Sequence, residues 1–498
     1  MTLPSFITIE GEDYSTELTK LHLYPKKVWG DEDIIPFQYM KNLTVLKINI
    51  DEYYNHQIKD IKPLSGLTNL TELWIPCVDD ISPISALTNL TKLVLIGNMT
   101  DISVVANLSR LKLLHLDDDV TDITPISGLC ELDFLILGDK ITDISPLSGL
   151  KSLTKLWLGR EVGDLTPISG LTNLTELYLV GGNISDLKPL SGLEKLVKIG
   201  MSDNRISDLT PLSNLKELRE LSFQDNLISD LTPLSGLSEL TCLELSENQI
   251  SDLTPLSELT GLTDLHLSEN QINDLTPLSG LANLVVLKLM NNHIEHLEPL
   301  SGLANLTCLY LTDNLIKDLT PLSALDNLLV LSLTYNEIDD LSPLSGLTTL
   351  YSFDAAYNYI KDWSPVEHIE RGVGGSEAKD VSSYRKGKLI TKSGDIPLKD
   401  LIAGLNREDM ALFKKVKKVI DEWDDISLMS VGCTHDEFDQ YSWDIFLMVR
   451  AGKGFKKLYR YLSSQINRGC FGIGGSVGKS EYMDIADRLT KLAKSKRT

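Results

Sequence analysis

The sequence predicts an α/β solenoid, a leucine-rich stack of coils with a parallel concave sheet and short 3₁₀/α convex turns, followed by a small α+β domain. Three observations predict it. Eight asparagines, Asn204, Asn226, Asn248, Asn270, Asn292, Asn314, Asn336 and Asn358, fall 22 residues apart without a slip. A strict period of that length marks a stack in which each unit touches only its neighbours. Before each asparagine, apolar residues alternate with outward ones, and after it a Thr-Pro-Leu type triplet punctuates the coil. The boundaries read from this pattern are an N-terminal cap and first atypical repeat over 1–42, the solenoid over 43–365, a linker over 366–389 and an α+β domain over 390–498.

The unit from Leu240 shows how each element follows from its residues. Leu240, Leu243 and Leu245 point inward while Cys242, Glu244 and Ser246 alternate outward, as a short strand requires. Asn248 stands at the bend, where an amide side chain bonds backbone groups that the turning chain leaves unpaired, and Ile250 and Leu253 return to the core. Thr254 is suited to a helix N-cap and Pro255 to the first helical position, where a missing N–H costs nothing. One such coil cannot bury enough apolar surface to fold alone, so the stack needs neighbours and caps. First strand leucines at 18, 43, 70, 90, 111, 132, 153, 174, 196, 218, 240, 262, 284, 306, 328 and 350 give sixteen strands.

Charge separates the two regions. Residues 1–365 hold 23 basic and 51 acidic side chains, net −28, whereas residues 366–498 hold 24 and 19, net +5. An acidic stack repels phosphate backbones and steers basic protein surfaces towards itself, so the repeats point to a protein partner with a basic surface and away from nucleic acid. The start, MTLPSFITIEGEDYSTEL, lacks a basic segment followed by an apolar stretch, and no run of 18 apolar residues occurs. Six cysteines (Cys77, Cys130, Cys242, Cys308, Cys433, Cys470) lie far apart without paired spacing, which suits reduced thiols. A cytoplasmic protein with no membrane contact is expected, and a monomer.

The phrase LxxLxLxxNxIxDLxPLSxL runs through residues 196–363 and, in shorter units, through 43–195. It resembles the bacterial internalin-type leucine-rich repeat and is also similar to the leucine-rich-repeat regulatory subunit of protein phosphatase 1. Both resemblances imply a non-enzymatic solenoid that binds a protein on its concave strands. Internalins typically add a secretion signal and an immunoglobulin-like domain after the repeats, and neither is seen here.

The repeat breaks its own rule near its middle. Unit lengths run 25, 27, 20, then 21 four times, and 22 from Leu174 onward. At the asparagine corner stand Val78, Asp119, Lys140, Glu161 and Gly182 instead. The central outward position reads Trp74, Val94, His115, Ile136, Trp157, Tyr178, with Phe134 beside it, and then Gly200, Ser222, Glu244, His266, Lys288, Tyr310, Ser332, Asp354. Large apolar groups on a solvent-facing strand suit a binding surface, and aromatic anchors are what hot spots favour. Trp74, Phe134, Ile136, Trp157 and Tyr178 are therefore the expected core of a protein-binding site, with Asp225, Glu247 and Glu269 as an acidic rim further along. The bland alternative is that these units have drifted and the aromatics only cover the sheet, or that a chain terminus packs there. His115 and His266 are expected to be solvated, seven units apart and unable to share a metal; Cys242 and Cys308 are expected to be surface or rim thiols.

Beyond Pro365 the period stops. Leu412, Phe413, Val416, Val419, Ile420 and Trp423 recur at helical spacing, WDIFLMV over 443–449 reads as a buried strand, and two further helix faces follow. The glycines before Lys479 and Ser480 miss phosphate-loop spacing, since Ile473 stands where glycine is needed. Cys433, His435, Asp436 and Glu437 lack a second ligand cluster for zinc. No cofactor, metal or catalytic residue is expected. The reading is a protein-binding scaffold or regulatory adaptor; the alternative is an enzyme or effector with its chemistry in 390–498 and the repeats selecting the target.

Overall fold

The computed structural model describes residues 4–369, apart from 26, 49–57, 77–79 and 98, together with the backbone of three two-residue strands, Gly372–Val373, Ile390–Thr391 and Gly394–Asp395. The chain forms two compact units: Met1–Arg219 with Phe223–Leu237, and Glu220–Ser222 with Ser238–Thr498.

The first unit opens with a hairpin, Phe6–Ile9 paired antiparallel to Glu12–Ser15. Its two-residue turn, Glu10 and Gly11, has φ of 50° and 82°, the left-handed pair that a twisted hairpin demands. Trp29 is fully buried below it and its Nε1–H donates to Glu10 at 2.9 Å. Nine parallel strands follow: Lys20–Leu23, Val45–Ile48, Glu72–Pro76, Lys92–Ile96, Leu113–Leu116, Phe134–Leu137, Lys155–Leu158, Glu176–Leu179 and Lys198–Gly200. The register aligns Leu21, Leu46, Leu73, Leu93, Leu114, Leu135, Leu156, Leu177 and Ile199 in one inward column.

The second unit continues the pattern with seven parallel strands, from Glu220–Ser222 through Cys242–Glu244, Asp264–His266, Val286–Lys288, Cys308–Tyr310 and Val330–Ser332 to Ser352–Asp354. Gly372–Val373 pairs with the last of them. The sixteen strands are those that the leucine spacing marks. Inward leucines such as Leu243, Leu245 and Leu256 are wholly buried, each contributing about 2 kcal/mol.

Two devices close the long coils. The first is the asparagine. Asn270 donates from Nδ2 to the carbonyls of Leu267 and Ser268 in its own coil and of Leu245 in the coil before, at 3.2, 3.1 and 3.0 Å, while its Oδ1 accepts the Ile250 N–H at 2.9 Å. The residue just before each asparagine, from Asp203 to Tyr357, has φ between 50° and 60°, the left-handed kink that turns the chain off the strand. The second device is an aspartate. The return turn is a 3₁₀ helix, Thr254–Leu256 in the unit above, with Thr254 as its first residue rather than its cap. The cap comes from Asp252, whose carboxylate accepts the Thr254 N–H at 2.8 Å. A short carboxylate two residues upstream reaches that N–H directly, and the threonine hydroxyl is then not needed for it.

Candidate functional site

On the outward face of the first unit, strand register sets Lys47, Trp74, Val94, His115, Ile136, Trp157, Tyr178 and Gly200 side by side in one column. Phe134 stands in the next column, between Leu113 and Lys155. The structure thus brings Phe134, Ile136, Trp157 and Tyr178 together and sets Trp74 apart from them by Val94 and His115.

The rings pack edge to face. Phe134 and Trp157 have centroids 5.1 Å apart at 72°, and Trp157 and Tyr178 5.7 Å apart at 81°, the arrangement that aromatic quadrupoles favour. Each ring is covered by the next, so Trp157 is 8% exposed and Tyr178 5%, whereas Trp74, Phe134 and Ile136 stay half-buried beside half-buried Ile96 and Leu113. Tyr178 lies over Gly200, where an added Cβ would come within 2.5 Å of its ring. At the other end, Lys47 stands 4.2 Å above the Trp74 ring, pairs with Glu72 at 3.1 Å, and Glu72 accepts the Trp74 Nε1–H at 3.0 Å.

The asparagine is absent from the corners that carry Asp119, Lys140 and Glu161. Carboxylates stitch these corners instead: Asp117 accepts the Gly97 N–H at 2.9 Å, Asp118 the Asp139 N–H at 2.9 Å, and Asp139 the Arg160 N–H at 3.1 Å. Removing one residue also brings adjacent backbones into contact, and glycine is needed at the crossing. A Cβ at Gly159 would fall 2.2 Å from the Gly138 carbonyl oxygen, and one at Gly138 would fall 2.4 Å from the Asp117 carbonyl carbon. Burial pushes the Asp117 carboxyl above its ordinary range, against its backbone hydrogen bonds and with help from the charges of Asp118 and Asp119. Arg160 and Lys140 pair with Asp139 and Asp119 across the same corners.

His115 is not solvated as its outward position suggests. It is 8% exposed, and burial between its neighbours lowers its pKa from 6.5 to about 4, so it is neutral. His266, in the second unit, is likewise buried, and its Nδ1 contacts Glu244. Burial works to raise the Glu244 carboxyl, but the charge and hydrogen bond of His266, joined by Ser246, hold it below the usual carboxylate value. Cys308 is buried too, not a surface thiol, while Cys242 is half-buried and Cys130 exposed. His115 stands between Val94 and Ile136, His266 between Glu244 and Lys288, and Cys308 between Val286 and Val330, neighbours that a single repeat does not reveal.

Asp225, Glu247 and Glu269 are the left-handed corner residues that precede Asn226, Asn248 and Asn270, with φ of 52°, 57° and 56°. Asp225 is exposed at the end of the first unit; Glu247 is half-buried and Glu269 exposed in the second. Among the described residues no group of three His, Cys, Asp or Glu side chains is placed to hold a metal ion, and no helix is long and apolar enough to cross a membrane. The features of 390–498 singled out in the sequence, including His435, Asp436 and Lys479, lie outside the described residues.

Known proteins place the chain. A family model described as leucine-rich repeats, two copies, matches residues 172–214, 194–236, 216–258, 238–280 and 282–324. No curated protein matches by sequence. Among solved structures, the internalin inlF of Listeria monocytogenes is 34% identical over 65% of this chain and 90% of its own, with a TM-score of 0.53. A leucine-rich-repeat protein of Leptospira interrogans is 21% identical over 71% and 93%, TM-score 0.60. The leucine-rich-repeat ectodomain of the Arabidopsis thaliana receptor kinase GASSHO1/SCHENGEN3, solved in complex with CASPARIAN STRIP INTEGRITY FACTOR 2, is 18% identical over 72% and 52%, TM-score 0.50. The last two share the fold alone. With its 22-residue period, its asparagine-stitched coils and this degree of identity across nine-tenths of an internalin, the chain belongs to the internalin-type leucine-rich-repeat family.

Proposed function

We propose that the chain is a non-catalytic scaffold or regulatory adaptor that holds a protein partner against the strand face of its first unit. One observation carries the reading. Outward positions that bear Ser222, Lys288, Ser332 and Asp354 in the second unit bear Trp74, Ile136, Trp157 and Tyr178 in the first, with Phe134, Ile96 and Leu113 alongside. Half-open apolar side chains on neighbouring strands, Leu113, Phe134 and Ile136, are poor for a solvated surface and good for a contact core. Trp157 and Tyr178 back this surface, Phe134 and Ile136 present it, and Trp74 adds a separate ring beyond Val94 and His115. Asp225, Glu247 and Glu269 add negative charge that favours a partner with a basic surface and speeds its approach. The complex of the plant receptor ectodomain supports the reading only as far as its fold is shared. The widely spaced cysteines support a cytoplasmic location, which cell fractionation tests.

The test is capture from lysate of the source cells with the full chain as bait. Replacing Phe134 and Ile136 together by alanine, at half-buried positions that leave the leucine core intact, is expected to lower capture at least tenfold. Retention of the same proteins at wild-type level by that variant would refute the proposal and leave the aromatics as a cover for the sheet. Neutralising Asp225, Glu247 and Glu269 to their amides is expected to slow association and flatten its salt dependence.

A further inference from the structure

Two polar atoms beneath the aromatic row have no partner within the protein: Trp157 Nε1 and Glu176 Oε2. Their side chains are among the most buried polar groups of the first unit, 8% and 5% exposed. A buried donor or carboxylate oxygen left unpaired is costly, and such atoms mark a ligand, a water or a function. The two stand on adjacent strands of one face, Trp157 opposite Tyr178 and Glu176 two residues before Tyr178. The other oxygen of Glu176 binds Lys155 at 2.9 Å, whose ammonium stands 5.9 Å from the Phe134 ring.

The same sheet shows the arrangement completed at Trp74. There the indole N–H donates to Glu72, and a cation, Lys47, both pairs with Glu72 and sits over the indole ring. Lys47 reaches this place because it is the register partner of Trp74 on the neighbouring strand. The register partners of Trp157 are Ile136 and Tyr178, neither of which is a cation. At the second position the carboxylate stands on the neighbouring strand and its cation, Lys155, leans towards Phe134, so among the described residues no cation is seen over the Trp157 ring.

We propose that Trp157 and Glu176 form a recognition site for an arginine of the protein partner. The guanidinium stacks on the indole and pairs with the unpaired Glu176 oxygen, and the Trp157 N–H takes a carbonyl oxygen of the partner's backbone. Arginine fits better than lysine because its flat fork stacks and bonds at once, and because Lys155 already occupies the ammonium position on Glu176. Admitting it requires the Tyr178 ring, which rests over side-chain-free Gly200, to turn aside. The net charge of −28 over residues 1–365 draws such a group in. The inference rests on the strand face being the binding surface.

The test uses the full chain with ¹⁵N-labelled indoles. Six tryptophans give six indole signals, and the one missing from Trp157→Phe is assigned to Trp157. Titration with N-acetyl-arginine amide is expected to move that signal, while N-acetyl-citrulline amide, equal in shape but uncharged, leaves it in place. Glu176→Gln is expected to weaken the response at least tenfold, with unmoved positions of the other indole signals showing that the fold is intact. A Trp157 signal that ignores the arginine amide, or answers citrulline equally, overturns the site. If capture still depends on Phe134 and Ile136 in that case, the arginine site alone falls; if it does not, the binding surface falls with it.

Discussion

Replacing Asn270 by alanine isolates the energetic weight of the corner amide. The side chain is 6% exposed and makes four hydrogen bonds, three from Nδ2 to carbonyls at 3.0 to 3.2 Å and one to Oδ1 from the Ile250 N–H at 2.9 Å. The two Nδ2 hydrogens are shared among three carbonyls, so with the bond accepted by Oδ1 about 1 kcal/mol net for each of three bonds gives about 3 kcal/mol, and the stranded N–H of wholly buried Ile250 brings the loss to about 4 kcal/mol. The assay is native-state hydrogen exchange, read at the amides of Leu245 and Leu267, which bond across neighbouring coils to His266 and Lys288. About 4 kcal/mol corresponds to exchange on the order of 1000-fold faster. Asn283→Ala is the control: that residue is exposed and makes one bond, 2.8 Å to the Thr260 carbonyl, so its loss is expected to stay below about 1 kcal/mol. Exchange in Asn270→Ala within threefold of wild type would refute the view that the amide stitches one coil to the next.

Gly159→Ala is expected to lower stability by about 3 kcal/mol, since its Cβ meets fixed backbone at 2.2 Å, while Gly163→Ala, with open space around it, leaves the melting temperature unchanged or slightly raised. His115 has its pKa depressed to about 4 in the fold, so protonation favours the unfolded chain: its contribution is whole above pH 6.5 and is lost as pH falls towards 4, by about 3 kcal/mol. Urea unfolding at pH 7 and pH 4.5 checks this, because His115→Leu should remove that part of the acid slope. His296 stands where neighbouring coils carry capping carboxylates such as Asp274 and Asp318. His296→Asp is expected to add the missing bond to the Glu298 N–H and to raise stability by about 1 kcal/mol in thermal unfolding.

The strands and the asparagine corner are legible because the residues that mark them lie within one coil, although the amide also bonds the coil before. Leucine alternation and a 22-residue spacing are local signals, and the stacking merely repeats them. The cap of the 3₁₀ turn is Asp252 and not Thr254, and the sequence does not separate them because threonine and aspartate are both good caps and stand two residues apart. Burial at outward positions was harder still. Whether Trp157, His115 or Cys308 is open depends on what stands 20 to 22 residues away on both sides, so each is a property of three coils rather than one. The aspartate stitching at Asp118 and Asp139 leaves only a faint trace in the sequence, acidic residues and Gly138 and Gly159 at the shortened corners, because the N–H groups that the carboxylates bond lie in the following coil.

Because every asparagine of the regular coils serves the coil that precedes it, a whole block can be duplicated or lost while each remaining one still finds a customer of identical shape. Recombination between near-identical stretches of gene would therefore yield longer or shorter chains that fold, provided the cut spans 22 codons or a multiple. Blocks of 21 do not trade places with them, since their corners are laced by carboxylates and need bare glycine at the crossing. The regular stretch is thus free to vary in heredity by copy number.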